Sequence, residues 1–266
     1  VTDANLVKLG IAEQVFAPLR EADVNYSLYD HVPPDSSLNV VNEVAALYKE
    51  EKCDGWIALG GGSVIDTAKG AAASVSVGEK DFTELQGSEI LQDELDPLIA
   101  IPTTAGTGSE VTLVAVVADT EHHTKLSYTS YRLVPHIAFL DPKLTASLPP
   151  KLTATTGIDA LTHAIEAYIG RSTTKLTRAM SEEAATRIVR SLYTAYENGG
   201  DMQARADMLR AAYCAGVSFT RSYVGYVHGV AHSLGGQYGV PHGLANAVIL
   251  PYFLDAYGAA CHQKLG

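Results

Sequence analysis

Hydrophobic and polar positions follow two different periods along this chain of 266 residues. In the first half, four short apolar runs predict buried strands at 56–59, 98–101, 112–117 and 137–140. Amphipathic segments lie between these runs, and segments 37–50 and 66–77 place their apolar residues at helical spacing. Strands that alternate with helices predict an α/β domain with a mainly parallel sheet.

The second half carries helical periodicity and little strand signal. The predicted helices cover 155–169, 177–198, 202–219 and 243–257. Pro149 and Pro150 favour an extended connection just before the first of these helices. We therefore predict a boundary near residue 150, with an α/β domain over 1–150 and an all-helical domain over 151–266.

Composition and charge narrow the classes of partner. The formal net charge is −11 and no Lys/Arg-rich run is present, which argues against nucleic acid or an anionic membrane surface and favours small molecules. Cys53, Cys214 and Cys261 are widely spaced without a CxxC pair, so a reducing cytoplasm is expected rather than a disulfide scaffold. No stretch reaches the roughly 20 apolar residues that a membrane-spanning helix needs.

The two ends of the chain suggest that residues precede and follow it. Residues 1–3 resemble the tail of a strand, and 264–266 stop without a terminal signature. We expect a chain that is truncated at both ends, with an incomplete helical domain.

Two distant segments concentrate one carboxylate and several imidazoles. Asp159 and His163 are four residues apart, as are His228 and His232, so each pair shares a helical face. His242 precedes another apolar helix. Asp159, His163, His228 and His242 form a set that suits Fe(II) or Zn(II), and also Mn, Co or Ni, whereas Mg and Ca prefer oxygen ligands.

Two neighbours of this set receive other interpretations. His232 shares a face with His228 without necessarily reaching the ion, and a non-ligand imidazole suits proton transfer near neutral pH. Glu166, three residues after His163, is either an outer partner of the ligands or part of a solvated helix face, and the solvated face is the favoured expectation.

A glycine-rich turn follows the apolar run 56–59. Gly60, Gly61 and Gly62 precede a helix that we expect to open at Ser63, with Asp66 in its first turns. Glycines allow a phosphate to approach the backbone, and the N-terminus of a helix stabilises its charge. The pattern is not GxGxxG, so a tight turn without a ligand remains an alternative.

A second loop, 101–111, also follows a predicted strand and offers hydroxyls from Thr103, Thr104 and Thr107. Two such loops at the carboxyl ends of strands favour a bound dinucleotide. Lys125 adds a positive charge, with a solvated lysine as the alternative. Asp3 suits a ribose hydroxyl and would repel a 2′-phosphate, which favours NAD over NADP.

These motifs resemble those of the iron-containing, group III alcohol dehydrogenases of the dehydroquinate synthase-like superfamily. The resemblance covers almost the whole chain, including segments 60–69, 102–110, 157–166, 228–232 and 241–246. It implies an amino-terminal dinucleotide-binding α/β domain, an all-helical metal-binding domain and a cleft that holds NAD(P) and the metal. It also implies a homo-oligomer, a dimer or larger.

The resemblance assigns roles by position. The implied metal ligands are Asp159, His163, His228 and His242, and His232 is the additional active-site histidine. The implied cofactor contacts are Asp3, Gly61, Gly62, Ser63, Asp66, Thr103, Thr104, Thr107 and Lys125. Many members have an Asn between prolines where this chain has Pro34 and Asp35, which leaves that adenosine contact open.

The resulting hypothesis is a metal-dependent oxidoreductase. It transfers a hydride between a nicotinamide cofactor and a primary or secondary alcohol or diol, with aldehyde or ketone in the reverse direction. His232 would carry the proton. The alternatives are a zinc polyol dehydrogenase, a dehydroquinate synthase-like lyase and, outside enzymes, a non-catalytic metal- or nucleotide-binding protein.

Overall fold

The computed structural model describes residues 1–78, 87–89, 91–122 and 124–265, and the chain divides into two compact units. The first consists of Val1–Thr103 and Thr112–Phe139, and the second of Thr104–Val111 and Leu140–Gly266. The unit therefore changes between Phe139 and Leu140, while a domain boundary near residue 150 stays a prediction.

The first unit is α/β. Its helices are α1 (Ala4–Lys8), α2 (Glu13–Glu21), α3 (Leu38–Glu50) and α4 (Gly62–Val77). Its strands are β1 (Trp56–Gly60), β2 (Gly87–Ser88), β3 (Leu98–Pro102), β4 (Val114–Asp119), β5 (Thr124–Thr129) and β6 (Ile137–Ala138).

The strands form two small sheets. One has the order β1-β3-β6 and is entirely parallel, as predicted. The other has the order β2-β5-β4, in which β4 and β5 form an antiparallel hairpin. The predicted strand 112–117 thus lies in a hairpin. Its partner β5 alternates exposed and buried residues, and our sequence reasoning did not assign it as a strand.

The core of the first unit lies between the helices and the parallel sheet. Val41 and Val44 of α3, Ala68 and Ala71 of α4, and Ala100 of β3 are buried in one cluster. Small residues on α4 allow its backbone to approach the strands closely, which explains why this helix is rich in alanine. Four of the five residues of β1 and of β3 are buried, with residues on both faces of each strand among them, as their nearly continuous apolar sequences indicate.

The second unit is helical, as predicted. It contains α5 (Pro150–Ile169), α6 (Lys175–Glu197), α7 (Met202–Ser222), α8 (Tyr226–Tyr238), α9 (His242–Tyr257) and α10 (Ala259–Leu265). Helix α5 packs against α6, α7 and α9. Side-chain caps define two of the starts, since Thr174 caps α6 and Asp201 caps α7. No helix among the described residues is both long enough and apolar enough to cross a membrane.

Candidate metal centre

Helix α5 presents three buried ionisable side chains along one face. Asp159, His163 and Glu166 are exposed by only 3%, 6% and 3%. Their spacing of four and three residues places them one above another. Asp159 Oδ2 lies 4.0 Å from His163 Nδ1. A buried carboxylate is costly without charged or hydrogen-bonding partners, so the neighbouring helices must supply them.

Helices α8 and α9 supply two further imidazoles. His228 is 1% exposed, and its Nε2 lies 3.5 Å from Asp159 Oδ1. His242 Nε2 lies 3.4 Å from the same oxygen. His242 is the first residue of α9, and a Cβ on the adjacent Gly243 would overlap the carbonyl oxygen of Thr155 in α5. Glycine therefore allows α9 to begin against α5, which brings His242 to Asp159.

The donor set fits a divalent metal ion. One ligand atom from each of Asp159, His163 and His228 lies within 4.8 Å of the other two. Two donors about 2.1 Å from a tetrahedral ion lie about 3.4 Å apart, close to the separations from Asp159 Oδ1 to His228 and His242. Among the described residues, the buried Nδ1 of His163 has no hydrogen-bond partner, as expected if an ion belongs beside it.

The charge on each of these side chains affects the pKa values of the others. Burial lowers the pKa of His163 to about 3, which keeps its imidazole neutral. Burial opposes a charge on His228, but hydrogen bonds to the Asp159 and Glu166 carboxylates outweigh it and raise the pKa of His228 to about 9. Burial also opposes the charge on Asp159, yet the surrounding histidines hold the pKa of Asp159 well below its usual value. A metal ion that binds here must displace a proton from His228.

The expectation that Glu166 lies on a solvated face was wrong. Its Oε2 accepts a hydrogen bond from His228 Nδ1 at 2.6 Å, and its Oε1 accepts one from the Val227 backbone N–H at 2.8 Å. The helical pattern of α5 identifies the face that carries Glu166, but it cannot show that α8 packs there.

Sequence reasoning also missed Asn246, which is fully buried. Its Nδ2 donates to Asp159 Oδ1 at 2.7 Å and lies 3.2 Å from Nε2 of both His228 and His242. The available signal was its position one helical turn after His242, on the same face.

His232 lies beside the donor set but differs from it in exposure. Its ring centroid is 4.9 Å from that of His242 and 6.3 Å from that of His228. The residue is exposed, whereas Asp159, His163 and His228 are buried. An imidazole in this position can exchange protons with water while it remains close to this donor set.

The glycine-rich turn of the first unit lies between β1 and α4, as predicted. Helix α4 begins at Gly62, one residue before Ser63, and its N-cap is Gly61. Among the residues that the structure describes, no side chain caps this end of the helix, so its first N–H groups are not committed to a capping side chain. The helix has 16 residues, and its N-terminus has the character of an anion site.

Several predicted cofactor residues support the backbone around this turn. Ser63 donates from Oγ to the carbonyl oxygen of Pro34. Asp66 Oδ2 accepts from the Val116 N–H at 3.0 Å. Asp3 caps α1, where its Oδ1 accepts from the N–H groups of Asn5 and Leu6 at 2.9 and 3.1 Å.

Lys125 and the threonine loop complete the predicted cofactor set. Lys125 Nζ forms an ion pair with Asp35 Oδ1 at 3.0 Å. In the first unit, Thr103 is buried and its N–H donates to the carbonyl oxygen of Gly60. In the second unit, Thr104 is half-buried, and Thr107 Oγ1 accepts from the Ser109 N–H at 3.3 Å, a turn-forming contact.

The chain belongs to the iron-containing alcohol dehydrogenase family. Residues 1–142 match a family model described as iron-containing alcohol dehydrogenase. Residues 153–266 match a second model, described as Fe-containing alcohol dehydrogenase family, C-terminal. The resemblance drawn from the motifs is therefore confirmed, together with the fold class of a parallel-sheet amino-terminal part and a helical carboxyl-terminal part.

Individual relatives agree with this assignment. Alcohol dehydrogenase 4 of Schizosaccharomyces pombe is 39% identical over 95% of this chain and 60% of its own length. The NAD-dependent methanol dehydrogenase of Bacillus methanolicus is 38% identical over 95% of this chain and 66% of its own length. The structure of an alcohol dehydrogenase from Oenococcus oeni matches with a TM-score of 0.93 and 42% identity, over 96% of this chain and 67% of that one. The chain thus spans about two thirds of the length of these relatives.

Proposed function

We propose that the protein is a metal-dependent oxidoreductase that transfers a hydride between a nicotinamide cofactor and a primary or secondary alcohol or diol. The reverse reaction reduces an aldehyde or ketone. The observation that carries the proposal is the donor set around the buried Asp159 Oδ1, in which His163 Nδ1 has no hydrogen-bond partner among the described residues. Such a set is typical of a catalytic metal site.

Asp159, His163, His228 and His242 would hold the ion, and Fe(II) is the metal that the family description favours. The family gives no support to the zinc alternative. A bound divalent ion supplies a Lewis acid that makes an alcohol hydroxyl more acidic. The four side chains lie on the three helices α5, α8 and α9, and Asn246 would keep Asp159 in place through its hydrogen bond to Oδ1.

His232 would carry the proton that the alcohol loses. A ring nitrogen of this exposed imidazole accepts the proton from the substrate hydroxyl and passes it to water. This role requires a side chain close to the ligands but outside the buried set, and His232 meets both conditions.

The cofactor would bind through the residues that the motifs identify. Gly61, Gly62 and Ser63 offer the uncapped start of α4 to a phosphate, and Asp3 would favour NAD over NADP. A relative described as NAD-dependent supports NAD. The remaining proposed contacts are Thr103, Thr104, Thr107 and Lys125. Asp66, the last residue of the proposed cofactor set, would act through the Val116 N–H that its carboxylate holds.

A spectrophotometric assay tests this function. Purified protein is stripped of metal and mixed with NAD or NADP and a panel of short alcohols and diols, with Fe(II), with Zn(II) or with chelator. We expect NADH formation that needs a metal and is fastest with Fe(II). Tight dinucleotide binding without turnover under any condition would contradict the enzyme and favour a binding protein, while substrate conversion without net NADH would favour a lyase.

A further inference from the structure

Glu166 joins two ligand-bearing helices through a single carboxylate. It lies on α5, which also carries Asp159 and His163, and both of its oxygens contact the start of α8. Oε1 accepts the N–H of Val227 and Oε2 accepts the Nδ1–H of His228. The contact is specific in shape, because a Cβ on Gly225 would lie 2.6 Å from Oε1.

The chemistry of the pair determines which nitrogen of a neutral His228 ring carries the proton. An ionised carboxylate accepts hydrogen bonds and donates none, so the 2.6 Å contact requires the proton on Nδ1. The other nitrogen, Nε2, then faces Asp159 Oδ1 at 3.5 Å. Nε2 is therefore the nitrogen that can offer a lone pair to a metal ion once the ion has displaced the second proton of the ring.

The same carboxylate positions the helix. Helix α8 has Gly225 as its N-cap and no capping side chain of its own. Glu166 accepts the N–H of Val227 from outside the helix, and so it performs the capping role that a Ser or Asp side chain performs elsewhere. One residue thus fixes the start of α8 and the orientation of its first imidazole.

We propose that Glu166 is a positioning residue of the metal centre, which aims Nε2 of His228 at the ion by holding its Nδ1–H and the start of α8. The proposal rests on the proposed function, since it presupposes the metal ligands. Outer carboxylates that hold a ligating histidine typically contribute 10–100-fold to metal affinity.

Glu166→Gln tests the proposal with little change in shape. The amide has one acceptor oxygen, so it can serve Val227 or His228 but not both. Metal-free protein is titrated with Zn(II) against a competing chelator, and nitrogen NMR of the Zn-loaded protein reports the protonation of the His228 ring. We expect metal affinity to fall about 10–100-fold and the Nδ1–H signal of His228 to shift or disappear.

Two further variants distinguish positioning from simple capping. Gly225→Ala leaves Glu166 in place but pushes against its Oε1, and it should weaken metal binding as well. Asp201→Ala removes the cap of α7, which accepts the Ala204 N–H, and should lower the melting temperature without changing metal affinity.

The outcomes separate this proposal from the proposed function. If the wild type binds Zn(II) and Glu166→Gln binds it within twofold with an unchanged His228 signal, Glu166 is only a structural cap and the proposal is wrong. A wild type that binds neither Zn(II) nor Fe(II) would overturn the metal centre itself, and this assignment with it.

Discussion

The glycine-rich turn and the metal centre differ in which atoms would bind a ligand, backbone atoms at the turn and side-chain atoms at the centre. At the turn, the chemistry of the proposed site lies in backbone N–H groups at the uncapped start of α4. The side chains around the turn form hydrogen bonds to the protein backbone. Asp66 accepts from the N–H of Val116, and the fully buried Lys69 donates from Nζ to the carbonyl oxygen of Thr112 at 2.7 Å. At the metal centre, the side chains themselves converge, and the backbone serves only to bring them together.

This difference has a consequence for substitutions. Substitution of a side chain at the metal centre should impair metal binding or turnover. Substitution of most side chains at the turn should lower only the stability of the protein. Activity, metal content and dinucleotide affinity, measured on the same variants, should therefore separate the two regions.

The largest effect is expected for Asp159→Asn. Asp159 Oδ1 lies 3.5 Å from Nε2 of His228 and 3.4 Å from Nε2 of His242, and the amide removes its charge while it preserves its size. We expect metal affinity to fall at least about 100-fold, since even outer partners of ligands contribute 10–100-fold, and turnover to disappear. Metal analysis after gel filtration checks the affinity, and NAD binding should stay unchanged. Retained metal and turnover would remove Asp159 from the ligand set.

His232→Ala should affect the rate and not the metal. Loss of a general acid–base group typically slows a reaction about 10²–10⁴-fold, and His232 lies outside the buried donors. Turnover is measured in metal-saturated protein, with metal content determined in parallel. Loss of metal in this variant would reassign His232 as a ligand.

The sequence allowed much of this side-chain cluster to be predicted because its residues follow helical spacing. Asp159 and His163 lie four residues apart on α5, and His242 begins α9 beside a glycine. Local rules therefore place these side chains on the helices that carry them, while their role as metal ligands stays a proposal. The assignment of Glu166 failed for a physical reason: its environment is created by α8, more than 60 residues away along the chain. Asn246 was missed for the same reason.

In the first unit, too, the sequence predicted some elements and missed others. The strands β1 and β3 are continuous apolar runs, and both were predicted within one or two residues. Strand β5, with the sequence TKLSYT, has the alternation of a half-exposed hairpin strand, and its pairing with β4 follows from tertiary contacts that a single sequence does not display. Whether a threonine or aspartate at a turn holds a ligand or the backbone is likewise decided by packing.

Metal affinity should depend on pH more steeply than dinucleotide affinity. The pKa of His228 is raised to about 9, so below pH 9 a metal ion must displace its proton. Affinity should therefore rise about tenfold per pH unit from neutral pH and level off above pH 9. Competition titrations at several pH values check this slope. Backbone N–H groups do not titrate in this range. If metal affinity depended on pH no more steeply than NAD affinity, the expected difference between the two regions would be contradicted.

Asp66→Ala should have the smallest effect on chemistry and a clear effect on stability. The substitution leaves the Val116 N–H without the acceptor that it has at 3.0 Å, and losing a partner of this kind costs about 1–3 kcal/mol. Denaturant unfolding measures the cost, and Asp66→Asn, which keeps an acceptor oxygen, is the matched control and should recover most of it. If Asp66 acts through the backbone, the Kd for NAD should change by less than about threefold in both variants once they are folded, because no binding group is removed. A loss of NAD affinity in Asp66→Ala with unchanged stability would instead make Asp66 a direct contact, and the turn would then resemble the metal centre in using its side chains for binding.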